Sequence, residues 1–104
     1  MVEVQLHEHA EAELERIVAW YERRGRGLGA ELLEEIALAL ETIGEEPDVW
    51  PPWPGVRAKL PVRRFLLPRF PFSLPYIVVG DGVIVLAVAH NSRRPRYWLK
   101  RVKR

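Results

Sequence analysis

Apolar residues change their spacing along this chain, and each change marks an element. Val2, Val4 and Leu6 alternate with polar neighbours, the two-residue period of a short half-buried strand. From about His7 to Arg23, Ala10, Leu14, Ile17, Val18 and Tyr21 recur at helical spacing, with Glu8, Glu11, Glu15 and Glu22 directed outward. Arg24-Gly25-Arg26-Gly27 breaks this pattern, because two glycines punctuate a turn. A second amphipathic helix is carried by Leu28, Leu32, Leu33, Ile36, Ala37, Leu40 and Ile43, and Gly44 and Pro47 end it. Helices joined by so short a turn form an antiparallel hairpin.

Pro47, Pro51, Pro52, Pro54 and Pro61, with Trp50, Trp53 and Gly55, exclude a regular element over residues 47–61. Val62 to Leu67 and Phe70 to Val79 read as strands, the second lacking one backbone donor at Pro75. Gly80-Asp81-Gly82 supplies a hairpin turn. Val83 to Ala89 is the last strand, and its unbroken apolar run places it centrally, covered on both faces. The predicted order is β-α-α-β-β-β: an α+β fold with the helix hairpin on one face of a small, mostly antiparallel four-stranded sheet. The first strand is expected at a sheet edge beside one of the later strands. Residues 1–104 form a single domain, as their length allows.

Charge adds a polarity that the net value of +2 conceals. Residues 1–50 carry thirteen acids against four bases, a balance of −9, whereas residues 51–104 carry twelve bases against Asp81 alone, a balance of +11. A polyanion or an acidic protein is the partner such a basic half fits. There is no cysteine, so disulfides and thiol chemistry are excluded and a reducing, cytoplasmic setting is expected. The N-terminus lacks the basic start and long apolar run of a signal peptide, and no stretch approaches the ~20 apolar residues of a membrane helix.

Candidate chemistry is sparse in the helical half. His7 and His9 form no metal-binding motif, and Gly25, Gly27 and Gly29 follow a helix rather than a strand, which argues against a phosphate-cradling loop. No metal and no cofactor are expected. The helical glutamates are expected on solvated faces, which leaves no paired carboxylates for hydrolysis. In the basic half, His90, Asn91, Arg93, Arg94, Arg96, Tyr97, Trp98 and Lys100 form a constellation joined by Arg63, Arg64 and Arg69. His90 or Tyr97 could exchange a proton, and arginines such as Arg93 could steady a pentavalent phosphate. The remaining cations and Trp98 could instead hold a nucleic acid or protein target. A third reading has the basic tail close over the sheet, with Tyr97 and Trp98 as packing anchors.

Two stretches carry a resemblance to a known family. Val62-Arg63-Arg64-Phe65-Leu66-Leu67-Pro68-Arg69-Phe70-Pro71-Phe72 is similar to the second-strand region of the RelE/ParE toxins of type II toxin–antitoxin systems. The run Val83 to Ala89 into His90-Asn91-Ser92-Arg93-Arg94-Pro95-Arg96-Tyr97-Trp98 resembles the family's passage from an apolar strand into His, Arg-rich residues and Pro. Leu28-Gly29 opening the second helix, and Pro47 after it, are similar too. The resemblance implies a toxin neutralised by a cognate antitoxin, in a toxin–antitoxin hetero-oligomer, with no membrane partner. RelE-like members are ribosome-dependent mRNA endoribonucleases, and an arginine tends to sit early in their third strand. Here Ser73 stands at that place, and Arg93 to Tyr97 is a short spacing for that branch. Phe70-Pro71-Phe72 and the His-plus-Arg ending are more similar to the ParE branch, whose characterised members poison DNA gyrase without cleaving anything themselves. A non-toxic basic binding module is the remaining alternative. The antitoxin is expected on the helix-hairpin groove and on an open sheet face.

Overall fold

The alternating Val2, Val4 and Leu6 build strand β1 (Glu3–Leu6), followed by helices α1 (Glu8–Arg24) and α2 (Leu28–Glu45). After the proline-rich connection come β2 (Arg63–Leu66), β3 (Phe72–Val79), β4 (Gly82–Val85), the two-residue β5 (Ala89–His90) and a 3-10 turn at Leu99–Val102. This computed structural model describes residues 1–94 and 96–102; Pro95 of the family-like run, and Lys103 and Arg104 of the twelve bases, lie outside the described residues. No described helix is long and apolar enough to cross a membrane.

The strands lie in the order β1-β4-β3-β2, with β5 pairing β3. All pairs are antiparallel except β1 with β4. The edge position of β1 and the two-residue turn between Val79 and Gly82 agree with the sequence reading. The hairpin of α1 and α2 covers one face of the sheet. Its turn is held from α1, where both oxygens of Glu22 accept backbone N–H groups at the start of α2, from Gly27 and Gly29 at 2.9 Å each. These bonds keep the Glu22 carboxyl below its ordinary range. Glycine is required twice here. Gly27 has φ +88°, and a Cβ on Gly29 would stand 2.9 Å from the Val18 carbonyl oxygen, where the two helices nearly touch.

Two apolar clusters lie on the two sides of the sheet. On the helix side, Leu32, Ile36 and Ile43 pack on Phe65, Phe72, Leu74 and Tyr76. On the other, Ile77, Leu86, Ala87 and Ala89 are covered by Val62, Trp98 and Val102, with Val56, Leu60 and Leu99 against them. Residues 83–89 are therefore sandwiched, as their unbroken apolar run requires. The second face, however, is not fully open. Much of it lies under a layer made of loop 53–62 and the C-terminal tail, which leaves less of that sheet face open than the sequence reading expects.

The expected strand over residues 83–89 is also split. Tyr76 pairs with Val85 and Ser73 with Ala89, so the three residues 86–88 face only Leu74 and Pro75. That is one extra residue, a β-bulge. Pro75 is the cause. Leu86 N–H donates to the Pro75 carbonyl at 2.7 Å, but Pro75 has no N–H to return to the Leu86 carbonyl.

Candidate functional site

Opposite the helices, the sheet, the loop and the tail enclose a cleft of about 490 Å³. Strand alternation puts Arg64 and Leu66 on this side while Phe65 faces the helices, and Ser73 joins them from β3. Trp53 comes from the proline-rich loop; the tail adds Arg93, Arg94, Tyr97 and Trp98. Ser73 donates its hydroxyl to the Asn91 side-chain oxygen, tying β3 to the first turn after β5. The place where RelE-like members tend to carry an arginine thus holds a small, internally satisfied hydroxyl.

The aromatic rings of the cleft are already covered by guanidinium groups. Arg93 stacks over Tyr97 at 3.7 Å and Arg64 lies over Trp53 at 5.2 Å. Trp98 is fully buried edge-on against Trp53, with ring centroids 4.9 Å apart, and acts as a packing anchor. The Tyr97 hydroxyl is buried and closes no hydrogen bond of ordinary length. Burial, followed by the nearby Glu13 carboxylate, pushes it up to about 12 against the pull of Arg93 and Arg101.

Behind Tyr97 lies a buried ion pair that the periodicity of α1 had hidden. Arg101 donates to Glu13 Oε2 at 2.9 Å, and only 6% of the Glu13 side chain is exposed. The other Glu13 oxygen accepts Val88 N–H at 3.0 Å, and Arg101 donates a second time to the Leu86 carbonyl at 2.8 Å. That carbonyl is the one Pro75 leaves without a donor. The pair therefore satisfies two backbone groups at the bulge and pins the tail to α1. The expectation that helical glutamates all face solvent fails at Glu13 and at Glu35, whose carboxylate accepts Arg69 N–H at 2.8 Å. Glu13 falls three residues after Ala10 and four before Ile17, on the apolar stripe, so a signal was present in the sequence.

The other candidates disperse. His90 borders the cleft, yet its ring stands edge-on to Phe72, a residue of the helix-side core, at 5.2 Å. Its Nδ1 is engaged by the Ser92 N–H and hydroxyl at 3.1 and 2.8 Å. Arg63 donates to the Trp50 carbonyl at 2.6 Å, and Arg69 pairs with Glu31 of α2 at 2.7 Å, which removes both from the cleft. Lys100 lines a second groove with Arg57 and Lys59, and Arg96, at φ 74°, lies against Gly55. The structure thus gathers Arg64, Arg93, Arg94, Tyr97 and Trp98, and separates Arg63, Arg69 and Lys100 from them. Trp53 and Leu66 complete the cleft without having been singled out in the sequence. His7 Nδ1 accepts the His9 N–H at 3.0 Å as a helix cap, and the described residues contain no group of three side chains able to hold a metal.

A two-helix hairpin on a mixed sheet, with a basic, aromatic cleft on the far side, is the build of a small toxin of the RelE/ParE kind. The family model described as ParE toxin of type II toxin-antitoxin system, parDE, matches residues 4–95, and the chain belongs to that family. Among solved structures it is similar to the chromosomal ParDE TA system from P. aeruginosa, with a TM-score of 0.72 and 22% identity over 86% of this chain and 96% of that one. That likeness is one of fold. No curated protein matches the chain significantly.

Proposed function

We propose that this toxin is a growth inhibitor that acts on DNA gyrase by binding, and that a cognate antitoxin holds it in check. The observation carrying this reading is the burial of the Tyr97 hydroxyl, which takes the cleft's tyrosine out of play as an acid or base and leaves His90 at the rim without it. The Tyr97 hydroxyl is buried and pushed up to about 12, and the His90 ring is turned onto Phe72. A general acid or base works best with a pKa near the operating pH and within reach of the substrate. Guanidinium groups over aromatic rings make a docking surface instead. The antitoxin reading rests on the family and on the apolar groove where Ala37, Leu38 and Leu40 of α2 meet Val2 and Val4, which fits an amphipathic segment.

Induction in a bacterial host tests the target. Gyrase-linked DNA breaks and an SOS response are expected, with messenger RNA intact. A second reading, ribosome-dependent RNA cleavage, draws on the clustering of Arg64, Arg93 and Arg94 in one cleft. Cleaved messages that disappear on Tyr97→Phe or His90→Ala would establish it and end the gyrase reading. An unaffected culture would remove both.

A further inference from the structure

The twelve bases of residues 51–104 do not share one fate. Arg63 is tied to a backbone carbonyl, Arg69 and Arg101 pair with glutamates, and Lys103 and Arg104 are outside the described residues. The other seven form no ion pair with any described carboxylate. Arg64, Arg93 and Arg94 line the cleft; Arg57, Lys59 and Lys100 line a second groove of the same loop and tail; Arg96 lies against Gly55 of that loop. All seven lie on or beside the layer formed by loop 53–62 and the tail, while the glutamates of α1 and α2 belong to the helix layer, and Glu13, which reaches the tail, is paired with Arg101. Asp81, the only acid after residue 50, sits in the turn between β3 and β4, away from both grooves.

We propose that this layer docks the phosphate backbone of duplex DNA, so that the chain grips the DNA held by its target as well as the target protein. The proposal rests on the gyrase reading for the source of the DNA, but not for the binding itself. Cations that lack carboxylate partners exchange counterions for phosphates, and this term supplies most sequence-independent affinity for DNA. The rings argue for a duplex rather than a single strand. Single-stranded nucleic acids are held by stacking bases on open aromatic faces. Here Arg93 covers Tyr97, Arg64 lies over Trp53, and Trp98 is buried. What remains on the surface is charge, which suits a paired backbone whose bases are already stacked.

The test uses the purified chain, a labelled DNA duplex and fluorescence anisotropy over a salt series, without gyrase. Affinity is expected to fall with salt at a slope of about −0.9 per phosphate neutralised. Arg57→Glu with Lys100→Glu should weaken binding at least about tenfold. Arg23→Glu with Arg26→Glu, the same charge change at the turn between the helices, should leave it nearly unchanged. Thermal melts confirm that both variants fold, since all four side chains are exposed. Equal losses in the two variants, salt-insensitive binding or no binding would overturn the proposal. So would tighter binding to single-stranded RNA of equal length. Loss of binding to DNA-free gyrase in the tail variant, with DNA binding unaltered, would assign the layer to a protein partner and overturn it equally. The gyrase reading fails separately, when induction yields no gyrase-linked breaks.

Discussion

Pro75 lacks one hydrogen atom that a neighbouring strand needs, and the consequences extend to residue 101. The unmatched Leu86 carbonyl takes Arg101 as its donor, and the bulged Val88 N–H takes Glu13 as its acceptor. Removing one member of a buried pair strands the other, so Glu13→Ala should lower stability by about 3–5 kcal/mol in chemical unfolding. Arg101→Met offers a sharper check of the proline's role. Its destabilisation should shrink by about 1 kcal/mol in a Pro75→Val background, where the strand regains its own donor. An identical loss in both backgrounds would refute the substitution of Arg101 for that donor. Two tyrosines report burial independently. Tyr76, which donates to the Pro47 carbonyl at 2.6 Å, and Tyr97 are each pushed up to about 12, first of all by burial. Their neutral forms are favoured in the fold, so the stability they contribute is intact below the ordinary tyrosine pKa of about 10 and is lost as pH rises from there towards 12. Alkaline unfolding that coincides with late tyrosinate absorbance is the expected signature.

The elements themselves were largely legible. Helical spacing set α1 and α2 to within a residue or two, because both have a single buried stripe and a glycine-marked turn. Two-residue alternation found β1, and β2 and β3 fall within the stretches read as strands, although β3 is buried on both faces and shows no period. Periodicity failed over residues 83–89, where an all-apolar run carries no period to break and so cannot reveal a bulge. The interruption is instead encoded in Pro75, on the facing strand. The hairpin geometry makes its own demand on Gly29. Gly29→Ala would push a methyl group against the Val18 carbonyl, destabilising by about 1–3 kcal/mol and lowering the melting temperature by about 5 °C or more. An unchanged melting temperature would mean that the helices can part at no loss.

At the scale of the whole molecule, the charge halves of the sequence become the two layers of the fold. That much follows from composition, since the helices are built from the acidic half. Which bases remain unpaired does not, because pairing depends on contacts between residues far apart in the chain. Arg69 meets Glu31 across 38 positions and Arg101 meets Glu13 across 88. The candidate site was therefore only partly legible. Its tail residues stand together in sequence, whereas Trp53, Leu66 and the Glu13 anchor reach it only through the fold.

The span between Glu13 and Arg101 also gives the protein a calendar. A ribosome adding about 5–20 residues per second makes Arg101 roughly 4–18 s after Glu13. Throughout that interval the helix hairpin can assemble, but the bulge, the tail and the cleft they shape have no anchor. The groove beside α2 and β1 awaits only the pairing of β1 with β4, whereas the basic layer must wait for residue 101. A guardian that recognises the groove could thus take hold of a nascent toxin before it is armed. Limited proteolysis of ribosome-stalled chains should show the helices protected while residues 86–88 remain open to cleavage, with closure only once Arg101 has emerged.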